Sequence, residues 1–156
     1  MPALVITIIA FHPVPSPKIE GAWKITEVQT VKKDGTTTST SPAESFAYFN
    51  KGHYTFCWSS QQGTPRVWQQ SDSVKLARMN QSIVNAGSYT LKGEMLETKA
   101  LFALNPMFVN GTATFTCSFS GDTLILSGTS VLSADNSLNP VYAAGSHIVN
   151  KLVRIK

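Results

Sequence analysis

The sequence predicts an all-β protein that folds as an eight-stranded antiparallel up-and-down barrel with one short helix. Three observations lead to this fold class. Short segments alternate apolar and polar residues, tight-turn residues separate these segments at regular intervals, and a single segment has helical spacing. Closing the sheet into a barrel removes its exposed edges. An antiparallel barrel of this size is just wide enough to be filled by side chains or to hold one small ligand.

Eight segments have the residue pattern of β-strands. In residues 112–119, for example, Phe115 and Cys117 alternate with threonines. Turn signals such as Asp34-Gly35 separate the segments. The threonine and serine tract 36–41 fits either the second half of a polar hairpin or a loop. The predicted strands are residues 21–31, 46–50, 53–59, 88–91, 95–101, 112–119, 123–127 and 147–155.

One segment in the middle of the chain has the spacing of a helix. Ser71 or Asp72 is a suitable N-cap, and apolar residues recur at mixed helical spacing over residues 74–84. The sequence Asn85-Ala86-Gly87 is typical of a helix end. We expect this helix and the preceding loop 61–70 to lie near the mouth of the barrel.

Composition and charge limit the classes of partner that the protein can have. Of the 156 residues, 42% are hydrophobic and 14% are charged, which is typical of a single folded domain. The formal net charge is +4, but the basic residues are scattered, with the densest groups at Lys32-Lys33 and along residues 151–156. Nucleic-acid binding needs a clustered basic footprint. We therefore predict no nucleic-acid partner.

Cysteines and histidines predict neither a disulfide framework nor a metal site. Strand alternation places Cys57 on the face opposite Phe56, whereas Cys117 shares a face with Phe115. We therefore expect two free thiols. The three histidines are far apart in the sequence and lack the spacing of metal ligands. The sequence predicts no metal and no cofactor.

The N-terminal region, residues 1–20, is predicted to be distinct from the barrel domain, residues 21–156. Its apolar run 3–11 is too short for a membrane span, and a proline-rich spacer follows it at residues 12–17. The run fits either the core of a signal peptide, which implies a secreted or periplasmic protein, or an extra strand that covers the barrel.

The two ends of the predicted barrel domain carry a closure pattern. The first strand opens on Gly21, which lets the chain turn in close, and Trp23 is large enough to plug one end of a barrel. The last strand carries Arg154, and a guanidinium stacks favourably on an indole face. We predict that these three residues seal one end of the barrel.

This closure pattern resembles that of the lipocalins, and the chain from Gly21 onward is similar to bacterial lipocalin-like domain proteins. The resemblance implies a calycin-type barrel in which Arg154 packs across Trp23. The chain lacks an obvious TDY-type motif of vertebrate lipocalins, and its helix lies in the interior of the chain rather than before the last strand. The resemblance therefore implies the barrel and not a hormone or retinoid carrier.

The predicted function is the binding of a small hydrophobic molecule. Six aromatic residues are the candidates for a pocket lining: Tyr54, Phe56, Trp58, Tyr89, Phe115 and Phe119. No catalytic motif is present, and we assign no catalytic residue. A small cyclase or isomerase remains an alternative, which a cavity converging on His53, Tyr89, Lys99 or Arg78 would favour. The other alternative is a solid-core interaction module, in which the same aromatics only fill the barrel.

Overall fold

The structure, a computed structural model, describes residues 17–156. Both interpretations of the run 3–11 therefore lie outside the described residues. Nine strands form a single sheet within this range. They are β1 (Gly21–Val31), β2 (Thr37–Thr40), β3 (Glu44–Asn50), β4 (His53–Ser59), β5 (Ser82–Lys92), β6 (Met95–Ala103), β7 (Thr112–Ser120), β8 (Thr123–Leu132) and β9 (His147–Arg154).

The sheet closes into an antiparallel up-and-down barrel of eight strands. Strand β1 and strands β3 to β9 each pair with the next along the chain, and β9 pairs back onto β1, with Trp23 opposite Arg154. This confirms the predicted fold class and the predicted contact between the first and last strands. The short strand β2 pairs only with the end of β1, so the polar tract forms half a hairpin beside the barrel.

Helices occupy the connections between strands. Helix α1 (Asp72–Asn80) joins β4 to β5, and α2 (Pro140–Ala143) is a single turn between β8 and β9. A three-residue 3-10 helix, Pro106–Phe108, joins β6 to β7. All three lie at the end of the barrel where β4, β6 and β8 finish, which is called the open end below.

The predicted C-terminal end of the helix is wrong. Helix α1 stops at Asn80, and Ile83 and Val84 lie in β5, where they pair with Trp58 and Cys57. The predicted turn 85–87 is likewise part of β5, which starts six residues before the predicted strand 88–91. The apolar spacing fits both structures locally, and pairing with β4 decides in favour of the strand.

Alternation along the strands separates the core from the outer surface. In β3, Phe49 is buried, while Phe46 and Tyr48 face outward and stack on each other at 6.4 Å. The fully buried side chains come from seven elements or segments of the chain and are Ile19, Trp23, Ile25, Phe49, Leu96, Cys117, Leu124, Leu126 and Leu152. Burial of this apolar surface is the main force that stabilises the barrel.

The end of the barrel opposite the helices is closed by Trp23. Its ring is 1% exposed, and its Nε1 donates a hydrogen bond to the carbonyl oxygen of Ile19 at 2.7 Å. The guanidinium carbon of Arg154 lies 4.3 Å from the centroid of the indole. Gly21 has a positive φ of 123°, and a Cβ there would collide with Nη1 of Arg154. Glycine is therefore required for two reasons: it adopts this backbone conformation without strain, and it leaves room for the arginine side chain.

Candidate ligand-binding site

The interior of the barrel contains a small cavity toward the open end. Its volume is about 60 Å³, and five of its thirteen lining residues are aromatic. Strands β3 and β4 contribute Phe49, Tyr54 and Phe56, β7 contributes Phe115, and the 3-10 helix contributes Phe108. An apolar cavity of about 150 Å³ holds benzene. The cavity therefore matches a fragment smaller than a benzene ring unless a lining side chain moves.

Asn85 supplies the unusual polar group of this cavity. Its Oδ1 atom is buried and has no hydrogen-bond partner among residues 17–156. A buried acceptor without a partner costs about 1–3 kcal/mol, so such groups are rare in folded proteins. The arrangement offers one acceptor to a molecule that is otherwise apolar and that carries one donor.

Of the six predicted pocket residues, three line this cavity: Tyr54, Phe56 and Phe115. The phenol of Tyr54 is 7% exposed, and burial raises its pKa, which keeps it protonated. The structure brings these three rings together from β4 and β7, which are not adjacent in the sheet.

The other three predicted residues lie elsewhere. Trp58 packs against the core cluster and also lines a groove beside helix α1. Tyr89 packs edge-on against Phe49 at 5.6 Å and donates a hydrogen bond to Glu20 at 3.4 Å, near the closed end. Phe119 is 43% exposed and lies 6.2 Å from Trp23.

The four polar residues that an enzyme interpretation needs do not converge on the cavity. His53 and Lys99 are exposed, Arg78 pairs with Glu44 outside the barrel, and Tyr89 lies at the closed end. Among residues 17–156, no group of three or more histidine, cysteine or acidic side chains is arranged to hold a metal ion.

The comparisons with known proteins agree with the geometry. The family model of the lipocalin-like domain matches residues 20–143, which run from the start of β1 through α2. The chain belongs to the lipocalin-like domain family. No curated protein and no solved structure gives a significant match.

Within this lipocalin-like domain, both thiols are free, as predicted. Cys117 points into the core and is fully buried, and burial raises its pKa to about 12. Cys57 points outward and donates a hydrogen bond to the carbonyl oxygen of Phe46 at 3.2 Å. Its partial burial also raises its pKa. The two thiols therefore face opposite sides of the barrel wall.

Ten of the thirteen residues that line the lipocalin-like cavity are not among the predicted pocket residues, and two of them, Asn85 and Phe108, matter most for a ligand. Asn85 falls in the predicted turn after the helix, because the predicted helix extends too far. Phe108 follows Asn105-Pro106, which indicates the end of a strand. This signal does not indicate where the ring of Phe108 points. A prediction of β5 from its β-branched Ile83 and Val84 would have placed Asn85 on the inner face.

No helix of the described residues is long and apolar enough to span a membrane.

Proposed function

We propose that this lipocalin-like domain binds a small, mostly apolar molecule that carries one hydrogen-bond donor, inside the open end of the barrel. One observation supports the proposal above the others. The cavity holds a buried acceptor, Asn85 Oδ1, that no group in the described part of the chain satisfies. A ligand hydroxyl or amide would remove this cost, and its apolar body would contact Phe56 and Phe115.

Entry of a ligand requires the cavity to enlarge, and Phe108 is the side chain best placed to move. It belongs to the 3-10 helix Pro106–Phe108, in which no residue is buried. The other four rings come from barrel strands that pair on both sides. Displacing Phe108 therefore disturbs one short connection and leaves the sheet intact.

Phenol and benzene are matched probes for this site, because only phenol carries a donor. We expect phenol to bind more tightly than benzene by about tenfold, which corresponds to one net hydrogen bond. Calorimetric titration of the wild type and of Phe108→Ala measures this preference. Phe108→Ala should bind both probes more tightly, because it enlarges the cavity.

Two variants decide the outcome. Asn85→Leu should remove the preference for phenol while retaining benzene. Phe102→Ala deletes a ring that is 62% exposed on the outer surface, and it should leave both affinities unchanged. The proposal fails if Phe108→Ala shows no saturable binding of either probe, or if phenol and benzene bind equally in the presence of Asn85.

A further inference from the structure

We infer that the groove between helix α1 and the outer face of strands β3, β4 and β5 is a second binding site, for a single amphiphilic carboxylate. This site is separate from the barrel cavity. Its lining comes from strands β3, β4 and β5, including the outward-facing Phe46, Cys57 and Val84, from α1 and from the loop before α1. Its volume of about 660 Å³ lies within the range of small-molecule sites, about 300–1,000 Å³.

The floor of the groove is an apolar row that crosses the strands. Phe46 is opposite Cys57, and Cys57 is opposite Val84. The row continues to Leu104, whose backbone N–H donates to the carbonyl oxygen of Val84 at 2.8 Å. Phe46 is 41% exposed. The row forms a continuous apolar strip outside the barrel, in which Cys57, Val84 and Leu104 are half-buried.

Helix α1 stands beside this strip without covering it. No residue of the helix is buried, and Met79, which lines the groove, is 49% exposed. The C-terminal end of the helix is attached by Arg78, whose Nη2 bonds to Glu44 at 2.6 Å and whose carbonyl oxygen accepts from Ser82 at 2.6 Å. An apolar tail fits between the helix and the strip, because both sides present unburied apolar surface to the gap.

The charges at the rim favour an anionic head group. Glu44 contacts two arginines, Arg78 at 2.6 Å and Arg66 at 3.8 Å. The bond from Arg78 lowers the pKa of Glu44, which is therefore ionised at neutral pH. Lys75 also lines the groove and pairs with Asp72 at 3.0 Å, so three basic side chains stand against two acidic ones. Arg66 is 90% exposed and is able to turn toward a ligand carboxylate without losing a buried contact.

The chain contains its own reporter of occupancy. Cys57 lies on the floor of the groove, whereas Cys117 is fully buried inside the barrel. An apolar tail over the strip should shield Cys57 from a maleimide. Because the pKa of Cys57 is raised, the reaction is best followed at mildly alkaline pH. Mass spectrometry separates the modification of the two cysteines.

The probes are decanoate, decanol and decyltrimethylammonium, each below its micelle concentration. We expect decanoate to slow the modification of Cys57 saturably, by about tenfold at ten times its dissociation constant. Decanol should protect at higher concentration, and the cation should protect least. Equal protection by all three probes, or none by decanoate, would overturn the assignment.

Variants on the exposed helix test the geometry without disturbing the core. Met79→Glu places a like charge in the groove and should abolish protection by decanoate. Leu76→Glu is the matched control, because Leu76 is 54% exposed on the same helix but does not line the groove. Arg66→Gln should weaken protection by decanoate and leave protection by decanol unchanged. Equal effects of Met79→Glu and Leu76→Glu would contradict the site.

Two further measurements distinguish the groove from the barrel cavity and from a membrane-docking surface. Asn85→Leu should leave protection of Cys57 intact, so failure of the barrel proposal and failure of the groove proposal give different results. Trp68 is fully exposed in the loop before α1 and should show no spectral shift with anionic phospholipid vesicles. Vesicle binding that protects Cys57 while monomeric decanoate does not would show a membrane-docking surface and would overturn the proposal.

Discussion

The guanidinium of Arg154 lies over the indole of Trp23, with 4.3 Å between Cζ and the ring centroid. The same guanidinium donates to the carbonyl oxygens of Glu20 at 2.8 Å and Lys18 at 3.2 Å. It thus connects the segment before β1 to the plug of the barrel. The two residues face each other across the β1–β9 seam, so their contact also marks the register that closes the sheet.

Truncation of the plug should be strongly destabilising. Trp23→Ala removes a ring that is 1% exposed, and we expect a loss of about 3–5 kcal/mol in the free energy of unfolding. Urea denaturation followed by circular dichroism measures the loss. Phe119→Ala, at a ring 43% exposed beside it, should cost less. A Trp23→Ala variant of wild-type stability would show that Trp23 does not plug the barrel.

Removal of the arginine should have a smaller effect. Arg154→Ala deletes the cation–π contact and the two bonds to backbone carbonyls, and we expect a loss of about 0.5–2 kcal/mol. Arg154→Lys should recover part of it, because an ammonium keeps the charge but loses the planar stack. Denaturation midpoints of the three proteins give the order. Full recovery by lysine would mean that charge alone, without stacking, accounts for the contact.

Gly87 is predicted to be intolerant of a side chain for a purely steric reason. It lies at the irregularity between Ala86 and Gly87 in the pairing of β5 with β6, and the carbonyl oxygen of Lys99 occupies the space that a Cβ would need. Gly87→Ala should lower stability by about 1–3 kcal/mol, as measured by thermal unfolding. Ser88→Ala, one residue along β5, is the control and should change stability by less than about 0.5 kcal/mol.

Much of the barrel could be predicted because alternation is a local property of each strand. Alternation places Phe115 and Cys117 on one face, and both point inward in the structure. The predicted bounds of β1 and β4 are also correct. The predicted C-terminal end of α1 is not, because Ile83 and Val84 fit a helix locally and become a strand only through distant pairing with β4.

The sites were less predictable than the fold, because a cavity depends on how rings from separate elements pack. Tyr54 and Phe115 lie on inner faces as alternation predicts, but the sequence does not indicate that about 60 Å³ remains between such residues. The outer groove depends on Phe46 and Cys57 being opposite each other and on α1 standing away from them. Neither relationship is contained in a single segment of sequence.

Stability should decrease at low pH partly through one ion pair on the seam. Glu27 is opposite Lys151, and their side chains bond at 2.8 Å. Hydrogen bonding, first to Lys151 and then to Ser39 and Gln29, lowers the pKa of Glu27 from 4.5 to about 2. Because the folded-state pKa is the lower one, the contribution is complete above about pH 4.5 and is lost as the pH falls toward 2.

The measurement for this ion pair is the difference in unfolding free energy between the wild type and Glu27→Gln as a function of pH. The difference should be below about 1 kcal/mol near neutrality, because both side chains are partly exposed. It should shrink between pH 4.5 and 2. The other carboxylates contribute equally to the pH dependence of both proteins, so their contributions cancel in the difference. A difference that stays constant over this range would contradict the assigned shift.

Asn85 should reduce stability in the absence of a ligand. Its Oδ1 is buried without a partner from residue 17 onward, so Asn85→Leu exchanges an unsatisfied acceptor for a methyl group of similar size in the cavity. We expect a gain of about 1–3 kcal/mol in unfolding free energy. Asn80→Leu, at the exposed end of α1, is the control and should stay within about 0.5 kcal/mol of the wild type. A gain of that size would show that Asn85 does not serve stability, which is what the proposed ligand site requires. If Asn85→Leu is instead destabilised, the acceptor is already satisfied, and the argument for a donor-bearing ligand is lost.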